Sequence, residues 1–251
     1  MRTYGLIGYP LGHSFSRRFF SEKFVRENKQ EQYLNFEIAP IDGVLDIIIG
    51  QPELAGINVT IPYKTQIIPF LDEIDDTALA IGAVNTVKIG RKEHNRLFLK
   101  GYNTDIYGFE KSLAPLLEPH HKKALVLGTG GASRAVVHVL KCLGIETLSV
   151  SRRPAHGGII TYHDLTPELV RDHTVIINTT PLGTAPGVDT CPAIPYEYLS
   201  GSHLLYDLVY NPPLTKFMQL GLKEGASVKN GYEMLELQAL KSYEIWNSDA
   251  F

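Results

Sequence analysis

One lysine closes the segment GINVTIPYK, residues 56 to 64. Val, Ile and Thr are residues of half-buried strands, and Pro62 sets a turn just before Lys64. A lysine aimed into a cleft can protonate an alkoxide, take a proton from an alcohol, or stabilise the charge that develops between the two. On an ordinary loop the same residue points into water. Three other short segments, GHSFS, GAVNT and GYNTD, set small polar groups at strand ends or turns. Ser14, Ser16, Asn58, Thr60, Asn85 and Asp105 together could bind a small, hydroxyl-rich molecule. Taken singly each has a plainer role: Ser16 could cap the following helix, Asn85 could shape a turn, and Asp105 could be an N-cap.

A second chemistry is written in VLGTGGASRA, which follows an apolar run and opens a helical one. Gly128 and Gly130 supply a tight turn and a bare backbone that a pyrophosphate can approach. The helix N–H groups and dipole behind them suit its charge. The third small position of the dinucleotide fingerprint is Ser133. About 20 residues further on, an NAD site offers a carboxylate to the ribose. Here the strand ends in VSRRP: Ser151, Arg152 and Arg153. Two guanidiniums suit a 2′-phosphate through forked, charge-assisted bonds, so NADP is the expected cofactor.

These groups need a scaffold, and the chain of 251 residues is long enough for one large domain or two smaller ones. Hydrophobic residues make up 44% and charged ones 20%, ordinary for a globular protein. A formal charge of −3 leaves no basic excess to track nucleic-acid phosphates. The two cysteines make no disulfide framework and no metal-spaced set, so no structural metal is expected. Cys142, in VVHVLKCLG, reads as a buried helix residue, and His120 and His121, in EPHHKK, as part of a solvated connection. The start, MRTYGLIGYP, reaches Gly and Pro too early for a signal-peptide core. No apolar run approaches membrane-spanning length, and a cytoplasmic protein is expected.

Short apolar runs alternate with helical ones, the pattern of an α/β protein. TYGLIG, YLNFEIAPI and GINVT read as strands; RRFFSEKFVRENK, VLDIII and TALAIGA read as helices. NTVKI and LFLKGYN flank the polar turn GRKEHNR as a hairpin. EPHHKK suggests a seam. Beyond it KALVLG, TLSVS, TVIINTT and LLYDLVY read as strands of a parallel sheet, interleaved with helices over ASRAVVHVLKCLG and ELVRD. The last helix, YEMLELQALKSYEIW, has Met234, Leu235, Leu237, Leu240, Tyr243 and Ile245 as its expected anchors.

With these segments in order, the chain resembles the shikimate dehydrogenases from GYPLGHSFS to GYEMLELQALKSYEIW. GINVTIPYK, GAVNT, GYNTD, GTGGASRA, INTTPLG and YDLVYNPPLT carry the likeness. The resemblance implies two lobes with a cleft between them: an N-terminal α/β substrate-binding domain over 1–104, joined by the C-terminal helix 232–251, and a Rossmann-type parallel-sheet NADP domain over 105–231. It implies reversible reduction of 3-dehydroshikimate to shikimate by NADPH; the sequence leaves monomer and homodimer both open. Carried over by position, Lys64 and Asp105 would handle the proton, and Ser14 and Ser16 would hold the carboxylate. Asn58, Thr60, Asn85, Tyr210 and Gln238 would complete the substrate site. Gly128, Thr129, Gly130, Gly131, Ala132, Ser151, Arg152 and Arg153 would hold NADP, with Asp76, Leu208 and Gly231 also on the cofactor side.

Departures from the family pattern stand at Arg17 and Phe20, where many relatives have Pro and His, at Ser151-Arg152-Arg153 in place of Asn-Arg-Thr, and at Ile106, often Gly. The changes at Arg17, Phe20 and Ile106, beside the substrate pocket by this resemblance, leave a quinate or mixed quinate/shikimate dehydrogenase as the rival enzyme, while the Arg pair still offers cations to a phosphate. An NADP-binding sensor without catalysis is the rival from another class, although a sensor has no use for a proton-handling pair.

Overall fold

The computed structural model describes residues 1–11, 15–91, 96–153 and 158–249. The chain forms two compact units, residues 1–104 with 238–251, and residues 105–237. The division therefore falls between Thr104 and Asp105, not at EPHHKK. That stretch belongs to unit 2, and its His121 is buried rather than solvated. The His121 ring accepts the Glu118 N–H at 2.9 Å and meets the Ser202 carbonyl at 3.3 Å, so both ring nitrogens have backbone partners.

Unit 1 is a mixed six-stranded sheet in the order β2-β1-β3-β5-β6-β4. Its strands are β1 (Arg2–Gly8), β2 (Glu31–Glu37), β3 (Leu54–Val59), β4 (Glu73–Ile74), β5 (Thr86–Arg91) and β6 (Leu97–Tyr102). The first three run parallel, with crossovers through α1 (Phe15–Arg26) and α2 (Val44–Gly50). β5 and β6 then add antiparallel. The tip of their hairpin, 92–95, lies outside the described residues. The strand expected over YLNFEIAPI stops at Glu37, before Pro40 and α2; proline offers no N–H to a ladder. A short helix, α3 (Asp76–Ile81), is capped by the Asp75 carboxylate, which accepts from the N–H of Thr77 and Ala78. The apolar core gathers Ile7, Val44, Ile48, Ile57, Val59 and Val87.

Unit 2 is an all-parallel sheet. Its strands are β7 (Lys123–Leu127), β8 (Glu146–Ser151), β9 (Ile160–Thr161), β10 (Val175–Asn178), β11 (Leu204–Asp207) and β12 (Ser227–Asn230). Their spatial order, β12-β11-β10-β7-β8-β9, is the doubly wound order 3-2-1-4-5-6 read from the other edge. In such sheets the order reverses beside the first strand, and the crevice at that point takes the ligand. Its helices are α4 (Asp105–Leu113), α5 (Gly131–Cys142), α6 (Pro167–Asp172) and α7 (Lys216–Lys223). The central strands β7, β10 and β11 are buried almost throughout, as in sheets covered on both faces. Cys142, expected to be buried, is exposed in the last turn of α5.

The final helix, α8 (Tyr232–Asn247), starts in unit 2 and belongs to unit 1 from Gln238 onward. The positions it buries best are Met234, Gln238, Ala239, Ser242 and Trp246. Of the expected anchors only Met234 is among them, and Leu240 is 41% exposed. Trp246 stacks on Tyr4 at 4.8 Å and donates to the Val87 carbonyl at 3.1 Å, tying the helix to the sheet of unit 1. Two of the buried positions are polar, and they lead to the site.

Candidate active site

Along β3, Ile57 and Val59 enter the apolar core and Asn58 faces the other way, as strand alternation demands. On that side lies a buried group of amides and hydroxyls. Asn58 accepts the Tyr33 hydroxyl at 2.8 Å and donates through Nδ2 to the Ser242 hydroxyl at 3.0 Å, the Thr86 hydroxyl at 3.2 Å and the Asn85 carbonyl at 3.3 Å. Thr86 and Ser242 share a bond of 2.8 Å, and Thr104 meets Ser242 at 3.0 Å. The Asn85 side chain accepts the Thr104 backbone N–H at 2.7 Å and donates to Gln238 Oε1 at 3.4 Å. Ser242 in turn donates to the Gln238 carbonyl. A buried polar set of this kind is stable only because its members satisfy one another. It also fixes the three amides expected to meet substrate, Asn58, Asn85 and Gln238.

Lys64 is anchored in the same unit. Thr60 receives the Tyr63 N–H at 2.8 Å, closing the turn after β3, and Tyr63 is buried with its hydroxyl on the Ile38 carbonyl at 2.6 Å. The Lys64 carbonyl takes the Val84 N–H at 2.7 Å. The lysine backbone is thus tied to the residue preceding Asn85, and its side chain is half-buried. Thr60 is held to β1 by its N–H on the Ile7 carbonyl at 2.9 Å. This is a pinned turn, not a loose one.

The remaining substrate-side expectations fall in different places. Ser14 lies outside the described residues. Ser16 sits inside the first turn of α1, so it does not cap that helix as the simplest reading of GHSFS expects. Asp105 is buried and is the first helical residue of α4, in unit 2, directly after Thr104. Tyr210 is half-buried, three residues past β11, also in unit 2. Asp76, expected on the cofactor side, is an exposed residue of α3 in unit 1.

In unit 2 the glycine turn sits at the order-reversal point of the sheet. Gly128 follows β7 with φ of +107°, and a β-carbon there would lie 2.7 Å from Thr179 Oγ1, just past β10. Only glycine combines that backbone with that approach. Gly130 is the N-cap of α5 with no side chain capping it, and a β-carbon there would meet nothing within 4 Å. The open first turn, with Gly131 and Ala132 half-buried and Thr129 exposed, leaves backbone N–H groups facing outward. Ser133 is buried, and its hydroxyl folds back onto the Gly130 carbonyl at 2.6 Å, which hides its polarity where the fingerprint has glycine or alanine. Arg152 and Arg153 stand exposed after β8, and the Arg153 N–H meets the Ser151 hydroxyl at 3.4 Å. Leu208 and Gly231 press their backbones together, leaving no room for a side chain at Gly231. The donor set fits a dinucleotide with an extra phosphate: bare N–H groups for pyrophosphate and cations for a 2′-phosphate.

Sequence reasoning did not single out Tyr33, Thr86, Thr104 or Ser242. Ser242 had a signal, since it lies one helical turn from Gln238 and shares its face. A further polar group beneath the cofactor side is Asp207, fully buried at the end of β11. It accepts from the Thr215 hydroxyl at 2.6 Å, Asn178 Nδ2 at 2.9 Å and the Val209 N–H at 3.0 Å. Burial nevertheless outweighs these bonds and raises its pKa to about 6. Asn178 also accepts the Thr180 hydroxyl at 2.6 Å, so this group shapes the loop beside Gly128. Among the described residues no helix is long and apolar enough to cross a membrane, and no cluster of His, Cys, Asp and Glu could hold a metal ion.

Residues 6–87, all within unit 1, match the family model described as the shikimate dehydrogenase substrate binding domain. The shikimate dehydrogenase (NADP(+)) of Halothermothrix orenii is 39% identical to this chain, covering 96% of it and 89% of the relative. The chorismate mutase/shikimate 5-dehydrogenase fusion protein of Clostridium acetobutylicum superposes with a TM-score of 0.86 at 35% identity, covering all of this chain and 92% of that one. Shikimate 5-dehydrogenase of Thermus thermophilus, solved in complex with NADP(H) and shikimate, gives 0.84 at 28% identity, covering 98% and 94%.

Proposed function

This chain belongs to the shikimate dehydrogenase family, and from that premise we propose that it reduces 3-dehydroshikimate reversibly to shikimate with NADPH. The product would feed aromatic amino acid biosynthesis through chorismate. The observation that carries the reading is the pinned Lys64 turn, whose carbonyl takes the N–H of Val84 next to Asn85, with an amide and hydroxyl cluster in the same unit suited to a polyhydroxylated ring. We assign unit 1 to the substrate and unit 2 to NADP. Bound NADPH would supply the hydride; the chain's own residues do the rest. Ser14 and Ser16 receive the substrate carboxylate, while Thr60, Asn85, Tyr210 and Gln238 orient the ring. Lys64 and Asp105 deliver a proton to the oxygen that becomes the alcohol, and remove it in the reverse direction. Gly128 to Ala132 cradle the pyrophosphate, and Ser151, Arg152 and Arg153 hold the 2′-phosphate, with Leu208 and Gly231, and Asp76 from unit 1, also assigned to the cofactor side. We assign the enzyme to the cytoplasm, as a monomer or homodimer.

The test is to mix purified protein with NADP and shikimate and follow the absorbance of the reduced nicotinamide. Parallel samples hold quinate in place of shikimate and NAD in place of NADP. Turnover is expected with shikimate and NADP. Equal turnover with quinate would shift the reading to a mixed enzyme, its pocket altered around Arg17 and Ile106. No turnover by protein that binds NADP would make it a sensor.

A further inference from the structure

We propose that Tyr33 is a positioning residue for the substrate carboxylate, its phenol joining Ser16 to Asn58, and that Asn58 acts through this chain rather than by touching substrate. The proposal rests on the reading of Ser16 as a carboxylate ligand. Tyr33 is buried in β2, and its ring stacks on Phe20 of α1 with centroids 4.7 Å apart and planes 15° from parallel. Phe20 and Ser16 are four residues apart on that helix, hence on one face of it. The stack therefore brings the phenol to Ser16, whose side chain hydrogen-bonds it.

The directions of these bonds follow from counting protons. A phenol has one hydrogen to give, and Tyr33 gives it to Asn58 Oδ1 at 2.8 Å. Its lone pairs then face Ser16, which donates its own single hydrogen to them. Beyond Asn58 the order continues, because both amide hydrogens are spent on the Ser242 and Thr86 hydroxyls and the Asn85 carbonyl. Those atoms reach Asn85 and Gln238. The chain thus runs from the serine at the carboxylate to the amides at the ring, all within unit 1. Burial pushes the Tyr33 pKa further up, so the phenol stays a donor at any working pH. When a carboxylate takes the Ser16 hydrogen, the Tyr33 hydrogen turns from Asn58 Oδ1 to the Ser16 oxygen, so one hydrogen lies between the two hydroxyls with or without the ligand. Asn58 has no amide hydrogen left for a ligand.

Tyr33→Phe removes the hydroxyl and keeps the stacked ring. The expected result is a five- to tenfold rise in KM for shikimate, with kcat within about threefold and KM for NADP unchanged. A role confined to packing would lower the melting temperature and leave that ratio of constants alone. Ser16→Ala is measured alongside, and in that background Tyr33→Phe is expected to add less than twofold, since both changes cut one chain. An unchanged KM in Tyr33→Phe, with Ser16→Ala impaired, overturns the role of Tyr33. An undiminished Tyr33→Phe effect in the Ser16→Ala background overturns the route through Ser16. An unchanged KM in Ser16→Ala overturns the carboxylate reading itself.

Discussion

The two units, assigned above to the substrate and to NADP, would make their sites by opposite means. Besides Lys64, unit 1 sets a cluster of neutral side chains, Tyr33, Asn58, Asn85, Thr86, Thr104, Gln238 and Ser242, each buried and each bonded to others. Unit 2 builds its turn from missing side chains at Gly128 and Gly130, flanked by exposed arginines, over a buried carboxylate. A ring with several hydroxyls must be read by many fixed donors and acceptors, and fixing them requires burial. A pyrophosphate needs only N–H groups and positive charge, which backbone and surface residues supply. Apart from Lys64, substitutions should therefore act on geometry in unit 1, and on charge and pH in unit 2.

The largest effect expected is in unit 1. Lys64→Ala should lower kcat by about 10²–10⁴-fold, the usual worth of a general acid–base group. The Lys64 backbone is held by the Val84 N–H and the buried Tyr63 beside it, so the variant should melt within a few degrees of the parent. Steady-state kinetics with a thermal melt checks both. Near-normal turnover would return Lys64 to the surface loop and leave unit 1 as a binding site without its proton donor.

The contrast between the units also explains how far the sequence could be read. The elements of unit 2 are legible because each strand is an apolar run ending at a turn signal, and Gly128, Gly130, Arg152 and Arg153 lie on short, contiguous segments. The exceptions are α4, β9, α7 and β12, which no sequence signal marks as helix or strand. KFMQLGLK and SVKN follow a Pro-rich stretch and carry weak apolar runs. In unit 1 the individual polar residues could be picked out, but not what they touch. Asn58 meets Tyr33 25 positions away and Ser242 184 positions away, and no local spacing encodes such pairs. The same blindness misread α8. Apolar residues were the natural anchors, yet Gln238 and Ser242 turn inward because the surface they meet is polar, while Leu240 is left outside. Cys142 and His121 were misjudged for the converse reason, since hydropathy says nothing of which helix face meets the sheet or which backbone groups seek an imidazole.

The pH contrast is the next test. The Asp207 pKa is raised by burial from 3.8 to about 6. The folded protein therefore binds this proton more tightly than the unfolded chain. Its contribution to stability is full below about pH 4 and is lost as the pH rises through about 6. A shift of about two pKa units corresponds to about 3 kcal/mol. Asp207→Asn removes the titration, and subtracting its denaturation curves from those of the parent cancels groups common to both. The stability of the parent relative to the variant should fall by about 3 kcal/mol between pH 4 and 7. A flat difference would mean that Thr215, Asn178 and Val209 hold the carboxylate as well as water does, and the two units would no longer differ in this respect. Tyr33→Phe, subtracted from the parent in the same way, should give a flat line over this range, because the cluster around Tyr33 is neutral.

The smallest effect belongs to the surface charges of unit 2. Arg152→Ala should raise KM for NADP about tenfold, the low end for a charge-assisted hydrogen bond, and leave KM for NAD within about twofold. Both guanidiniums are exposed, so Arg153 can cover part of the loss, and salt should weaken what remains. Exposed charges are screened over about 10 Å at 0.1 M salt, whereas the buried cluster of unit 1 is not. KM for NADP should therefore climb with ionic strength in the parent and less steeply in Arg152→Ala, while KM for shikimate responds less to salt. Equal losses for NADP and NAD would remove the 2′-phosphate from Arg152, and the cofactor preference would then have to arise at Ser151, Arg153 or the residues after them.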